Sequence, residues 1–232
     1  MSITSSVTRR ADDGERSLGP SPLPSRTRLW LEFVNTDAAA QSPGVDLLRD
    51  FDALVSWLRT HAAIDDERSA GLLRRAQLQP AAAAATLVDA RRVRAAMRVL
   101  AERGFISERV RDDAVIEINR VLGRSAGTRR IERHPEGGFT RSFVPTGDAF
   151  AGLMIPIVES AGDSLALEEL ARVRRCADAR CYRVFMDATK NGLRRWCDMG
   201  TCGNRAKAAR HRAKTRPRAL LSMPIDRITE RG

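Results

Sequence analysis

The sequence predicts a mainly α protein. A helical N-terminal domain with one β-hairpin is followed by a small C-terminal module built on four cysteines and ending in a basic helix. Three observations carry this reading. Apolar residues recur at helical spacing through most of residues 29–175, strict alternation is confined to a stretch around 131–143, and all four cysteines fall between positions 176 and 202. At 232 residues and 43% hydrophobic content, the chain can fill one good-sized core plus an appendage that needs another source of stability.

Taken in order, residues 1–28 are Ser, Thr, Pro, Gly and charge with no apolar period, and predict a disordered leader. Residues 29–36 place Trp30, Phe33 and Val34 at helical spacing, but the run is short enough for a buried strand as well. Asp46 is expected to cap a helix carrying Leu47, Leu48, Phe51, Leu54, Val55 and Leu58 to about His61. A second helix is expected from Asp65 to about Gln77. Pro80 opens a third, with Leu87, Ala90, Val93, Met97 and Leu100 inward, that stops at Gly104. Ser107 caps a fourth, which runs through Val110, Ala114, Ile118 and Val121 to Gly123. After Gly127 the period becomes two, and Ile131, Arg133, Phe139, Arg141 and Phe143 flank the Gly-containing turn 134–138 as a hairpin. Helical patterning returns over 148–161 and 163–175, interrupted by Pro156.

The chain carries 40 Lys+Arg against 29 Asp+Glu, a net +11. Residues 172–218 hold fifteen of the basic and three of the acidic side chains, so the whole excess lies there and the remainder is close to neutral. With no apolar run long enough to span a bilayer and no apolar signal segment, the expected place is the cytoplasm, without membrane contact. In that reducing setting, clustered thiols favour a metal over disulfides.

The cysteine pattern is Cys176-x4-Cys181-x15-Cys197-x4-Cys202. Two close pairs joined by a modest loop are what a tetrahedral four-thiolate zinc site requires. Residues 176–218 contain few large apolar side chains and so need the folding energy of one structural Zn²⁺, on the order of 10 kcal/mol in zinc-finger peptides. Four thiolates leave no open position for a catalytic water, but they also serve an iron–sulfur cluster in a redox sensor or interaction protein.

Gly203 permits a tight turn aiming backbone N–H groups at the sulfur, and Asn204 is a good helix cap. In the helix that follows, Ala206, Ala209 and Ala213 make a narrow stripe suited to packing on the metal site. Arg205, Lys207, Arg210, Arg212 and Lys214 present cations almost without acidic partners. A zinc-stapled basic helix is a nucleic-acid-binding geometry, and Arg194 and Arg195 are expected to assist. DNA is favoured as the partner, with RNA the alternative, since a basic knuckle does not distinguish the polymers. Once four thiolates and Zn²⁺ are included, residues 172–218 carry about +10.

The stretch 176–210, with Phe185-Met-Asp187, Arg194-Arg195-Trp196-Cys197, Cys202-Gly-Asn-Arg205 and Lys207, closely resembles the CGNR zinc finger. Upstream, Leu31-Glu-Phe-Val-Asn35-Thr36 and Asp52-Ala-Leu-Val-Ser-Trp57-Leu58 resemble the ABATE domain that usually precedes it. The resemblance covers residues 28–212 and implies a stress-induced transcriptional regulator with Cys176, Cys181, Cys197 and Cys202 as zinc ligands. Two positions depart from the usual pattern: Tyr182 where a glycine often follows the second cysteine, and Asp198 where a serine is common after the third. Within the motif, Asp187 is expected to anchor Arg194 or Arg195, and Trp196 to form the module's core rather than stack on a base.

The domain reading is therefore a leader (1–28), an ABATE-like domain (29–175), a zinc finger with its basic helix (176–218) and a tail (219–232). The three histidines, His61, His134 and His211, are far apart and carry no catalytic motif; no P-loop, GxGxxG or HExxH is present, so the chain is not read as an enzyme. Glu32 and Asn35, with Arg94 as a possible partner of Glu32, are either caps and an ordinary salt bridge or a polar pocket for a small-molecule effector. The helical domain is otherwise expected to contact a protein partner.

Overall fold

The computed structural model describes residues 28–37, 44–102, 107–133, 137–148, 150–167 and 169–215. The expected leader, the stop at Gly104, most of the hairpin turn with His134, and the tail lie outside the described residues.

The ambiguity at 29–36 resolves as a helix, α1 (Leu29–Val34), whose Trp30, Leu31, Phe33 and Val34 are all buried. A helix satisfies its own backbone, and the Asn35 N–H donates to Leu31 O at 3.0 Å, so the segment can sit apolar on nearly every side within the core. Trp30 fixes its orientation by donating Nε1–H to Ser164 Oγ at 3.0 Å. The next helix, α2 (Phe51–Thr60), begins four residues later than a cap at Asp46 suggests. Asp50 is its cap, accepting from Ala53 N at 2.7 Å, whereas Asp46 accepts from Leu48 N and turns to Arg94. The residues between them are not helical, and Leu47 is exposed while Leu48 is buried.

Asp65 caps α3 (Asp66–Leu78), and Pro80 opens α4 (Pro80–Ala101), the long helix against which α1, α2, α3 and α5 pack. The apolar face of α4 follows the expected spacing: Leu87, Ala90, Val93, Met97 and Leu100 are buried. Ser107 precedes α5 (Glu108–Arg124), where Ala114, Ile118 and Val121 face inward but Val110 is exposed. The hairpin forms as β1 (Gly127–Arg133) against β2 (Phe139–Pro145), pairing Ile131 with Arg141. Phe143 closes over both Gly127 and Gly152, leaving no room for a Cβ at either.

Pro156 does not interrupt a helix. It sits in the first turn of α6 (Ile155–Ala166), where its missing N–H costs nothing. Nor does helix continue to Arg175: a short 3₁₀ turn, Glu169–Arg172, leads into β3 (Val173–Arg175), which pairs antiparallel with β4 (Val184–Met186). Val173 and Val184 are buried in the main core beside α1 and α4, so this strand pair carries the cysteine module into contact with the helical layer. Three residues per strand carry too little alternation for the pair to be read from sequence. Among the described residues no helix is long and apolar enough to cross a membrane.

Candidate metal centre

Cys176 leaves the end of β3, its N–H donating to Arg183 O at 2.9 Å, and Cys181 closes the following turn by donating to Asp178 O at 2.8 Å. The second pair is held differently. Asp198 caps a wide turn, Met199–Gly203, by accepting from Thr201 N at 2.7 Å and Thr201 Oγ1 at 2.8 Å. The Gly203 N–H donates to Asp198 O at 3.0 Å, five residues back, which makes the turn a π turn. Gly203 thus does not aim its N–H at sulfur, and Asn204 is not the cap. Instead Gly203 leaves room for Met199, whose sulfur and methyl lie 3.1 Å from where a Cβ would stand. The Asp198 that departs from the usual pattern supplies the cap, and the helical axis starts before Cys202 rather than after it.

These turns bring the four Sγ atoms within 4.8 Å of one another, with Cys181–Cys197 and Cys197–Cys202 both at 3.7 Å. That is far beyond a disulfide bond length of about 2.05 Å, and all four cysteines are free. Zn–S bonds of about 2.3 Å give a tetrahedral edge of about 3.8 Å, so the donor set fits one thiophilic ion. Burial pushes the Cys197 thiol far up, with the neighbouring cysteines adding to it, and burial also raises Cys202. For Cys176 burial acts against ionisation, but the backbone N–H groups of Cys197 and Asp178 with the adjacent sulfurs outweigh it and lower the thiol. Four crowded sulfurs cannot all ionise without a cation among them.

Arginines hold this centre. Arg205 donates Nε–H to Asp178 Oδ2 at 2.6 Å and Nη2–H to Cys202 Sγ at 2.9 Å, tying the first turn to the second. Asp178 is held below the usual carboxylate range by the Arg180 backbone N–H and by Arg205. Arg194 donates Nε–H to Trp196 O at 2.9 Å and Nη2–H to Cys197 O, while its guanidinium lies 5.0 Å over the Phe185 ring. Asp187, fully buried, binds the loop backbone rather than a guanidinium: it accepts from Arg194 N at 2.8 Å and from Thr189 N and Oγ1. Sequence reasoning placed Arg194 and Arg205 on a nucleic acid; the structure gives both hydrogen-bond partners inside the finger, Arg194 half-buried and Arg205 still exposed.

The remaining expected cations, Arg195, Lys207, Arg210, Arg212 and Lys214, are all exposed. The last four lie on α7 (Asn204–Thr215), in which no residue is buried. Ala206 is half-buried, but Ala209 and Ala213 are exposed, so the alanine stripe does not pack on the metal site beyond its first turn. Trp196 is half-buried, packing against Cys176, Phe185 and Cys202 on one side. It is therefore part of the small core without being enclosed by it.

In the helical domain, Glu32, Asn35 and Arg94 do not converge. Glu32 is exposed and pairs with Arg183 at 3.2 Å; Asn35 accepts from Val184 N at 2.9 Å and donates to Val184 O at 2.8 Å. Arg94 reaches Asp46 through both terminal nitrogens, at 2.7 and 2.5 Å, and Thr36 Oγ1 at 3.0 Å. Its partner is Asp46 because Glu32 points to the outer face of α1. Sequence reasoning missed two further residues. Arg98 bonds Asp37, Glu102, Val34 O and Tyr182 O, and Asp178 receives Arg205; a single Arg or Asp carries no periodic signal of its partner. His61 stacks on Trp57 with ring centroids 4.0 Å apart, and His211 is exposed on α7.

A family model described as "CGNR zinc finger" matches residues 172–215. A second, ABATE, described as "Putative stress-induced transcription regulator", matches residues 27–182. No curated protein matches the chain. The two matches overlap over residues 172–182, which hold β3 and the first cysteine pair and end just before β4.

Proposed function

Since the chain belongs to the ABATE family and carries a CGNR zinc finger, we propose that it is a zinc-dependent, DNA-binding transcriptional regulator. In this reading the helical domain senses a signal or contacts a protein partner, and the role is non-enzymatic. The observation that carries DNA binding is α7: a helix rooted on the metal centre, exposed on every side beyond its first turn and lined with cations. Such a surface repels itself at low salt unless an anion neutralises it, and a phosphate backbone does so along its length. RNA offers the same phosphates and remains the second reading.

Zinc is supported by the sulfur spacing. An iron–sulfur cluster would place its own iron and sulfide atoms between the thiolates, for which sulfurs all within 4.8 Å leave too little room. Cys176, Cys181, Cys197 and Cys202 would hold the ion, which supplies folding energy to a module with a small core. Four reduced thiols also suit a cytoplasmic setting.

The test is duplex binding by the full chain over a range of salt. With Arg195, Lys207, Arg210, Arg212 and Lys214 on phosphates, the log–log slope is expected to be about −4 to −5. Arg210→Glu with Lys214→Glu should weaken binding and leave metal content unchanged, whereas Arg205→Gln should lower metal retention. Binding that survives the double charge reversal at low salt would leave α7 a solvated face, and structured RNA winning the competition would favour the second reading.

A further inference from the structure

The cysteine module is short of apolar residues, yet besides Tyr182 it leaves two large ones on its surface: Leu193 is 77% exposed and Met199 48%. Together with Trp196 they line an open groove of about 590 Å³, bordered also by Thr189, Lys190 and Arg195. Exposed apolar side chains gathered beside one half-buried aromatic mark a contact surface rather than scattered surface residues.

The groove has a rigid floor. Trp196 rests on the cysteine cluster, its carbonyl accepts from Arg194 Nε, and its neighbour's carbonyl, Arg195 O, accepts from Ala177 N at 2.8 Å. Asp187 fixes the backbone at Arg194. The rim is cationic: Lys190 and Arg195 are exposed, and the Arg195 guanidinium lies over the Trp196 ring, 5.3 Å from its centroid, a place it yields when a base stacks there and it turns to the phosphate. Of the acids nearest in sequence, Asp187 is fully buried, and the exposed Asp198 carboxylate hydrogen-bonds Thr201 rather than Lys190 or Arg195. A clamped aromatic ring, apolar walls and exposed cations, one at the edge and one over the ring, are the components of a site for an unstacked base with its phosphates.

We infer that this groove takes an unpaired nucleobase, stacked on Trp196 between Leu193 and Met199, with the flanking phosphates on Lys190 and Arg195. The inference rests on the nucleic-acid reading above and adds to it. In an intact duplex the base faces are covered by their neighbours, so α7 can engage paired strands while the groove engages only a melted, flipped or single-stranded position.

The experiment uses the full-length, zinc-loaded protein and a labelled thymidine strand about 12 nucleotides long, compared at one ionic strength with an abasic sugar-phosphate strand of equal length. The base-containing strand should bind between about fivefold and a hundredfold more tightly. That advantage should shrink in Leu193→Ser and Trp196→Ala and persist in Trp196→Phe, while Arg210→Glu with Lys214→Glu weakens both strands alike. Leu193→Ser keeps the test decisive if Trp196→Ala fails to fold, since an exposed side chain contributes little to the module. Equal affinity for the two strands would overturn the groove as a base site and leave DNA binding by α7 standing. Failure of both strands and of duplex to bind would instead overturn the nucleic-acid reading itself.

Discussion

Arg94 and Asp46 illustrate how one pair of residues sets the geometry of the helical layer. Arg94 has 7% of its side chain exposed and Asp46 29%, so the pair is largely withdrawn from solvent and ties α4 to the turn before α2. The hydrogen bond from Arg94 holds the Asp46 carboxyl below the usual carboxylate range against the opposing effect of burial. A carboxylate whose folded pKa is depressed contributes stability that is fully present above the ordinary aspartate range. That contribution is lost as pH falls through the folded value. Asp46→Asn keeps the acceptor for Leu48 N but leaves Arg94 buried without its counter-charge. It should cost about 3 kcal/mol at pH 7, and urea titrations should show a flatter loss of stability below about pH 4 than in the unaltered protein.

Among the elements, α7 has the weakest support from the rest of the fold. It has 12 residues and no buried side chain, and helices of that length are marginal in water when nothing packs on them. Its first turn is secured by the Asp198 cap and by Arg205 on Cys202 Sγ; the remainder depends on what neutralises its cations. Amide exchange across 207–214 should therefore be fast in the free protein and slow on duplex DNA. Ala209→Gly, which changes neither charge nor metal ligands, should lower duplex affinity about fivefold, matching a helix penalty of about 1 kcal/mol. Unchanged affinity would mean that the helix is already complete before it binds.

At the scale of the whole molecule, the cysteine module is attached to the helical layer rather than tethered beyond it. Val173 and Val184 lie in the main core, Asn35 bonds Val184 through both backbone groups, and Arg98 reaches Tyr182 O. Beyond Met186, by contrast, the chain packs mainly on its own cysteine cluster. Cys202→Ser should therefore release the metal and unfold 187–215, while the circular-dichroism signal and thermal transition of α1–α6 persist with β3–β4 still paired. Loss of both parts in one transition would show that the metal centre supports the helical layer as well.

The amino-acid sequence alone determined the features that repeat or cluster locally. The apolar face of α4, the start of α3 at Asp65 and the spacing of the four cysteines all depend on residues within a few turns of each other, so pattern suffices to find them. The family resemblance extended this to the ABATE and CGNR segments, and both family matches bear it out. Tertiary structure alone decided where individual charges go. Fifteen basic residues in 172–218 read as one surface, yet Arg194 and the still-exposed Arg205 bond carbonyls, a carboxylate and a sulfur of the finger, while Lys207, Arg210, Arg212 and Lys214 project outward from α7. Asp46 likewise reads as a helix cap until Arg94 is seen 48 positions away. A long, flexible side chain chooses its partner by what the fold brings within about 3 Å, and that distance is set by packing remote in sequence. The net charge announces that something basic is present; only the folded arrangement divides it into cations that build the metal centre and cations left to meet a partner.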